Sequence, residues 1–102
     1  MYYRAVLIAF MSLTTVHAAN ADAAQIEAGT QVYNNYCQTC HGDGLVSSGQ
    51  TFDLRRLKAE ERRRFETSVK NGKGQMPPWG DVLNDEEIDQ LWQYVRANTT
   101  VK

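Results

Sequence analysis

The 102 residues of this chain are 42% hydrophobic and 23% charged, and 11 lysines and arginines oppose 12 aspartates and glutamates for a formal net charge of −1. This length excludes more than one domain, and a sequence without repeats or low-complexity tracts excludes a repeat array. A domain this small has few residues for an apolar core, so we expect it to need a further source of stability.

Residues 1–18 are predicted to be a secretory signal peptide. A positively charged start is followed by the apolar stretch 5–16, which is too short to span a bilayer comfortably. Cleavage is predicted after Ala18, within the alanine-rich segment 18–23, and an uncleaved membrane anchor is the alternative. We therefore expect a periplasmic domain of residues 19–102, with no stable membrane anchor after cleavage.

A first helix is predicted from about Asp22, as its N-cap, to Tyr36. Ile26 and Tyr33 belong to an apolar stripe at helical spacing. Gly29 lies in the middle of this helix, where glycine costs about 1 kcal/mol relative to alanine. We expect that its bare backbone lets another helix cross closely, although simple tolerance of the glycine is the alternative.

The stretch Cys37-Gln38-Thr39-Cys40-His41 has the spacing of a c-type haem attachment site. Each thiol can add across one vinyl group of the haem, and the histidine can place a ring nitrogen on the iron. A redox dithiol usually opens a helix after a buried strand, and no apolar strand precedes Cys37. A zinc site would need two more nitrogen or sulfur ligands, and residues 19–102 contain no other cysteine or histidine.

The segment 42–54 is predicted to be a loop, from which Phe52 and Leu54 turn apolar surface toward the haem. A second helix is predicted over residues 57–71, and Gly72 is predicted to end it. The expected buried side of this helix consists of Leu57, Phe65 and Val69.

Charge is strongly separated along the chain. Residues 55–73 carry eight basic and three acidic side chains, whereas residues 81–89 carry five acids and no base. Export argues against a nucleic-acid partner for the basic segment, which leaves a solvated helix face or a docking patch for an acidic partner. The candidate docking residues are Arg62, Arg63 and Arg64, with Arg55 or Arg56 directed to the haem propionates.

Two consecutive prolines and the flanking glycines prevent residues 73–80 from forming a helix. Met76, in this stretch, is the only methionine of the predicted domain. A thioether opposite a histidine is the haem arrangement that raises the reduction potential. Met76 is therefore predicted to be an iron ligand rather than a filler of a gap in the core.

A third helix is predicted to begin after Asn84, because asparagine is a good N-cap and the acids that follow it suit the helix dipole. This helix is expected to run to about Asn98. Its predicted apolar face consists of Ile88, Leu91, Trp92 and Val95, with Tyr94 at the edge.

Three segments in this order resemble the small class I bacterial cytochromes c, and the resemblance spans residues 19–102. The segments are Gly29-x-x-Val32-Tyr33 ahead of the haem motif, Gly74-Gln75-Met76-Pro77-Pro78-Trp79 as the methionine loop, and Leu91-x-x-Tyr94-Val95 in the last helix. The resemblance implies an all-α fold with three main helices around one covalently bound haem.

The resemblance also implies roles for individual residues. Cys37 and Cys40 would hold one haem c through thioether bonds, and His41 and Met76 would be its axial ligands. Members of the family commonly have a proline after the haem motif, whose carbonyl orients the histidine, and this chain has none between His41 and Met76. We predict that the loop 46–49 supplies the carbonyl that accepts the His41 Nδ1 proton.

The implied function is one-electron transfer in the periplasm by a protein that is not an enzyme, because an iron with two protein ligands has no open position for substrate. The loop around Met76 and the segment 52–56 are similar to small cytochromes that serve periplasmic dehydrogenases, including quinoprotein alcohol dehydrogenases. The expected partners are such a dehydrogenase as donor and another cytochrome or a terminal oxidase as acceptor. Two alternatives stay open: a haem enzyme or sensor with an open iron site, and a haem-bearing subunit of a dehydrogenase complex.

Overall fold

The fold is built from helices and the loops that connect them. A computed structural model of the chain describes residues 2–3, 5–10 and 16–101. Within this part of the chain there is no β-strand, and the predicted all-α class is confirmed. The helices are α1 (Val16–Tyr36), α2 (Gln38–His41), α3 (Arg62–Asn71) and α4 (Asp85–Ala97).

Helix α1 starts earlier than the sequence pattern predicted. It begins at Val16 and ends at Tyr36, where the end was expected. Asp22 lies inside the helix, so its predicted capping role is wrong. The alanine-rich segment 18–24 accounts for the early start, because alanine has the highest helix propensity. The predicted cleavage after Ala18 falls within this helix and stays a prediction.

Helices α1 and α4 cross at Gly29, and the expected close approach is confirmed. A Cβ atom at this position would lie 2.0 Å from the carbonyl oxygen of Gln90 and 3.0 Å from the Cβ atom of Tyr94. Beside the crossing, the rings of Tyr33 and Tyr94 are 5.2 Å apart and tilted by 53°. Tyr94 is only 8% exposed, so its predicted place at the edge of the apolar face is wrong, because α1 covers that side.

Helix α3 is shorter than predicted. It begins at Arg62 rather than at Leu57. Leu57 lies in extended backbone before a short 3₁₀ turn (Ala59–Glu61), yet it is buried as expected. The helix ends before Gly72, which has a φ of 75° and donates its N–H to the Ser68 carbonyl.

The start of α4 agrees with the capping signal in the sequence. The Asn84 side chain accepts a hydrogen bond of 2.8 Å from the N–H of Glu87, and the Glu87 side chain accepts one of 3.1 Å from the N–H of Asn84. This reciprocal pair satisfies two N–H groups that the helix itself leaves without partners. The four residues of the predicted apolar face are all buried.

The apolar core lies along α4, which packs against α1 and α3. Its buried members are Val32, Tyr33, Leu45, Leu57, Phe65, Val69, Leu83, Ile88, Leu91, Trp92, Tyr94 and Val95. Residues 2–3 and 5–10, by contrast, have no regular secondary structure, and their side chains are exposed. No helix in the described ranges is long and apolar enough to cross a membrane.

Candidate cofactor site

A cavity of about 610 Å³ opens beside the core. Part of its wall comes from the end of α1, from α2, and from loop residues within 50–54 and 73–79. Small-molecule and cofactor sites usually have volumes of about 300–1,000 Å³, so the cavity has the size of such a site. Its apolar wall is formed by core side chains: Leu57, Phe65, Val69, Leu91 and Val95.

All four residues that the sequence singled out as haem anchors or ligands line this one cavity. Cys37, Cys40 and His41 approach it from α2 and the residue before it, and Met76 approaches from the loop after α3. The fold thus brings together two thiols, an imidazole and a thioether from distant parts of the chain.

The short helix α2 sets the direction of the first three of these side chains. The N–H of Cys37 donates to the Tyr33 carbonyl at 2.8 Å, and the N–H of His41 donates to the Cys37 carbonyl at 2.9 Å. The turn ends at Gly42, whose φ of 91° favours glycine. The Tyr33 hydroxyl donates to the Gly42 carbonyl, so α1 itself holds the end of the motif.

The His41 ring has a polar neighbour that the sequence did not indicate. Burial lowers the pKa of the imidazole below its ordinary value, which favours the neutral ring that can bind a metal. Its Nδ1 atom lies 3.2 Å from the hydroxyl oxygen of Thr51. No hydrogen bond joins the ring to a carbonyl of residues 46–49 in the described part of the chain, so the prediction that this loop accepts the Nδ1 proton is not supported.

The Cys37 thiol does not have the electrostatics of a reactive redox cysteine. Burial, together with the neighbouring Cys40, raises the pKa of Cys37 to about 11. A reactive redox cysteine needs a lowered pKa so that the thiolate forms near neutral pH. Among residues 2–3, 5–10 and 16–101, no group of three or more histidine, cysteine or acidic side chains could hold a metal ion. The redox-dithiol and zinc interpretations of the motif therefore lose support.

The loop that presents Met76 is fixed by its own backbone. Lys73 and Met76 exchange two backbone hydrogen bonds of 3.1 and 3.0 Å, and Gly74 has a φ of 58° in the turn between them. The N–H of Trp79 donates to the Val69 carbonyl at 2.8 Å, which ties the loop to α3. Residues 73–80 form no helix, as predicted.

Aromatic side chains close part of the cavity wall. The Trp79 ring packs against Tyr36, the last residue of α1, with ring centres 5.3 Å apart. Phe52 and Leu54 also line the cavity, as expected from the sequence. Phe52 is 46% exposed, and the Arg64 guanidinium lies 5.3 Å from the centre of its ring. These two residues therefore form part of the cavity mouth.

The sequence analysis did not place two cationic side chains in the cavity wall, although it named Arg64 as a docking residue. Arg64 and Lys73 both line the cavity. Neither Arg55 nor Arg56, one of which was expected near the haem propionates, lines the cavity, and Arg55 is paired with Asp53 at 3.0 Å. A signal for Arg64 was present in the helical spacing, because it lies one turn before Ser68, which lines the same wall. No comparable pattern marked Lys73.

The residues of the cavity fit a c-type haem. An imidazole and a thioether are the axial pair of cytochromes c, and two thiols at this spacing are the usual anchors. The apolar wall suits the macrocycle, and the cations of Arg64 and Lys73 suit its carboxylates. When bound, haem supplies an iron that changes between the ferrous and ferric states, and the protein supplies its ligands and surroundings.

Comparison with known protein families also supports a site for c-type haem. The family model described as cytochrome c oxidase, cbb3-type, subunit III matches residues 24–95. Cytochrome c6 of Bryopsis maxima is 35% identical over 83 residues, which cover 72% of this chain and 91% of the relative. Chloroplastic cytochrome c6 of Chlamydomonas reinhardtii is 38% identical over 95 residues, which cover 86% of this chain and 64% of the relative.

A much larger protein contains a similar segment. Quinohemoprotein alcohol dehydrogenase ADH-IIG of Pseudomonas putida is 39% identical over 80 residues, or 76% of this chain. A solved structure of this dehydrogenase matches with a TM-score of 0.70 and 38% identity, again over 76% of this chain. This chain spans only 11% of the length of the dehydrogenase, so it corresponds to one segment of that protein.

The class of the protein follows from the cavity and from these matches. The family model covers most of the described domain, and both cytochromes c6 match over most of this chain. The expected resemblance to the small class I cytochromes c is confirmed. This chain belongs to the class I cytochrome c family and carries covalently attached haem c.

Proposed function

We propose that this chain carries single electrons in the periplasm, with Cys37 and Cys40 as the haem anchors and His41 and Met76 as the axial ligands. The donor is a periplasmic dehydrogenase of the quinoprotein type, and the acceptor is another cytochrome or a terminal oxidase. The observation that carries the proposal is the convergence of these four side chains on one cavity of about 610 Å³.

The proposed ligand pair suits electron transfer better than chemistry on a substrate. A methionine opposite a histidine fills both axial positions and raises the reduction potential. Met76 is held in a tight turn by two backbone hydrogen bonds to Lys73. A ligand on a short, fixed turn is preorganised and supports a site that does not open for substrate.

Part of the cavity rim is accessible to a partner protein. Phe52, Gln75 and Pro77 line the cavity and are exposed. An accessible rim next to the redox centre is what a carrier needs, because its partners exchange electrons with it without entering the core. The rim therefore supports a carrier role.

The N-terminal segment supports export. Residues 5–10 are apolar in sequence, exposed, and without regular secondary structure, which suits a leader that packs on no part of the domain. We propose cleavage after Ala18, which leaves residues 19–102. Mass spectrometry of the protein from the periplasmic fraction tests this, and an intact N-terminus would favour the membrane-anchor alternative.

The dehydrogenase donor is supported by a relative whose own name includes a dehydrogenase. The name of the quinohemoprotein alcohol dehydrogenase from Pseudomonas putida joins a quinone cofactor, a haem and an alcohol dehydrogenase in one protein. The segment of that protein that matches this chain has the same fold, with a TM-score of 0.70. A separate chain of this fold fits the role of passing electrons onward from an enzyme of that kind.

Visible spectra of both redox states, with and without carbon monoxide, test the ligand assignment. We expect a weak near-infrared band from methionine on ferric iron, and poor carbon monoxide binding by the reduced protein. Met76→Ala should abolish the band, lower the reduction potential and allow carbon monoxide to bind. Gln75→Ala, at a neighbouring position of the cavity wall, should change none of these.

Two results would contradict this assignment. One is a wild-type protein without the near-infrared band, in which case Lys73 is the next ligand to test. The other is wild-type protein that binds carbon monoxide as strongly as Met76→Ala, which would indicate the open-site enzyme or sensor instead.

A second candidate function is a fixed haem-bearing subunit of a dehydrogenase complex. The match to one segment of the quinohemoprotein dehydrogenase favours it, because there the similar segment is part of the enzyme chain itself. Affinity purification from the native host separates the two candidates. A dehydrogenase retained at constant ratio through a high-salt wash indicates a subunit, whereas a carrier elutes alone.

A further inference from the structure

One polar contact of the cavity wall, next to His41, has no role so far. The Nδ1 atom of this ring is 3.2 Å from the hydroxyl oxygen of Thr51, and the same oxygen is 3.5 Å from the carbonyl oxygen of Cys40. A threonine hydroxyl has one proton to donate and two lone pairs that accept. It can therefore donate to the Cys40 carbonyl and accept from the His41 ring at the same time.

We propose that the Thr51 hydroxyl is the positioning group of the haem-binding histidine: it accepts the Nδ1 proton of His41 and fixes the tautomer and rotation of the ring. This inference rests on the proposed role of His41 as an iron ligand. A proton held on Nδ1 leaves the lone pair of Nε2 for the metal. A side chain, rather than a backbone carbonyl, thus orients the ligand.

The loop between the two residues brings Thr51 back to His41. Its first turn requires Gly42, because a Cβ atom there would lie 2.0 Å from the carbonyl oxygen of Val46. Its second turn is closed by Ser47. The Ser47 hydroxyl donates to the Thr51 carbonyl at 2.9 Å and accepts a hydrogen bond of 3.2 Å from the N–H of Gly49. These bonds fix the backbone of Thr51 and, with it, the place of its hydroxyl.

The only hydrogen-bond partner of the His41 ring within residues 16–101 is the Thr51 hydroxyl. Two other polar groups of the loop have partners elsewhere: the Gly42 carbonyl accepts from the Tyr33 hydroxyl, and the Ser47 hydroxyl donates to the Thr51 carbonyl. The Thr51 hydroxyl is therefore the group that the fold places to accept the Nδ1 proton.

Loss of this acceptor has consequences that a merely structural role would not produce. A hydrogen bond from Nδ1 increases the basicity of the imidazole as a ligand and so favours the ferric state. Without the bond, the reduction potential should rise. The Nδ1 proton should also exchange faster with water, by up to about tenfold for a hydrogen bond of ordinary strength.

NMR of the ferric holoprotein and redox titration test the proposal. In the wild type, the His41 Nδ1 proton should show a nuclear Overhauser effect to the Thr51 methyl protons. Thr51→Val removes the hydroxyl at nearly constant shape and should raise both the potential and the exchange rate. Thr51→Ser should restore both values. Ser48→Ala removes an exposed hydroxyl from the same loop and should change neither.

Equal potentials and exchange rates in the wild type and Thr51→Val would overturn the proposal, and so would a failure of Thr51→Ser to restore them. If Thr51→Val does not fold, the wild-type spectrum still decides: an Nδ1 proton close to residues 46–49 and not to Thr51 overturns it. A ferric spectrum without shifted resonances from a histidine ligand is a separate result. It would contradict iron binding by His41 and hence the proposed function itself.

Discussion

The crossing of the two long helices and the walls of the cavity are held together in different ways. Where α1 meets α4, protein packs directly on protein: Gly29 lies against the Gln90 carbonyl, and Tyr33 packs on Tyr94. Around the cavity, core side chains such as Leu57 face a space of about 610 Å³. Protein interiors contain few voids larger than a water molecule, so this second region completes its packing only with the haem.

This difference shows which part of the stability the polypeptide supplies by itself. The loops over residues 42–61 and 72–84 contain backbone hydrogen bonds of their own, and the second loop is bonded to α3 through the N–H groups of Trp79 and Gly80. An apolar side chain that faces a void loses the contacts on that side. We infer that the packing at the helix crossing is complete without the cofactor, whereas the packing of the cavity walls is completed by the haem.

Preventing haem attachment should have the largest effect on the stability of the protein. Cys37→Ser combined with Cys40→Ser, expressed in the periplasm, should abolish cooperative unfolding and remove most of the helical signal, because too little core remains. Circular dichroism and limited proteolysis measure both effects. The first cleavages should fall in the loops 42–61 and 72–84 rather than in α4.

Thr39→Ala is the matched control for this experiment, because it changes an exposed residue of the same motif and keeps both thiols. It should retain the haem and melt cooperatively. An apoprotein that is stable and melts cooperatively without either cysteine would contradict the view that haem completes the core. The cavity walls would then be self-supporting, and the contrast between the two regions would disappear.

A change at the helix crossing should have a smaller effect. Gly29→Ala should destabilise the holoprotein by about 1–3 kcal/mol, the usual range for overpacking, because its Cβ atom would overlap the Gln90 carbonyl. Denaturant unfolding followed by circular dichroism gives this value. The visible spectrum should stay unchanged, since neither Gly29 nor Gln90 lines the cavity.

The control for the crossing is Asn34→Ala on an exposed face of the same helix. It should be neutral or slightly stabilising, because alanine has the higher helix propensity. If Gly29→Ala were also neutral or stabilising, the two helices would have to separate more easily than their backbone contact implies. The crossing would then not be a region of complete protein packing.

Features that depend on neighbours in the chain were predictable from the sequence. The capping pair Asn84 and Glu87 gave the start of α4, and the two prolines gave the irregular loop around Met76. The spacing of the haem motif and the lone methionine indicated residues that line one cavity. In each case the physical cause lies within a few residues of its effect.

Features that depend on contacts between distant segments were not predictable. Thr51 reaches the His41 ring only because the loop between them folds back on itself. Tyr94 is buried because α1 happens to cover it. Arg62 is bonded to Asp89, which is 27 residues away. No local pattern in the sequence carries information of this kind.

Changes to the basic surface near the cavity should affect electron exchange with a partner, and this is the smallest effect that we expect. Two of the three predicted docking residues already have acidic partners: Arg62 donates to Glu66 at 2.8 Å and to Asp89 at 2.6 Å, and Arg64 donates to Glu61 at 2.7 Å. These exposed pairs contribute little to stability, but they reduce the charge that α3 presents to a partner. A docking role for the three arginines together is therefore less favoured than the sequence suggested.

Lys73 is a better candidate for docking, because it is exposed and lines the cavity wall. Lys73→Glu should slow electron exchange with an acidic partner by a few-fold at low ionic strength, and the difference should shrink as salt screens the charges. Arg56→Glu makes the same change of charge at an exposed position away from the cavity, and its effect should be smaller. Equal effects of Lys73→Glu and Arg56→Glu would mean that the rate of electron exchange depends only on the net charge of the protein. If Glu86→Lys with Glu87→Lys slows the exchange instead, the acidic start of α4, rather than the cavity wall, is the face that meets the partner.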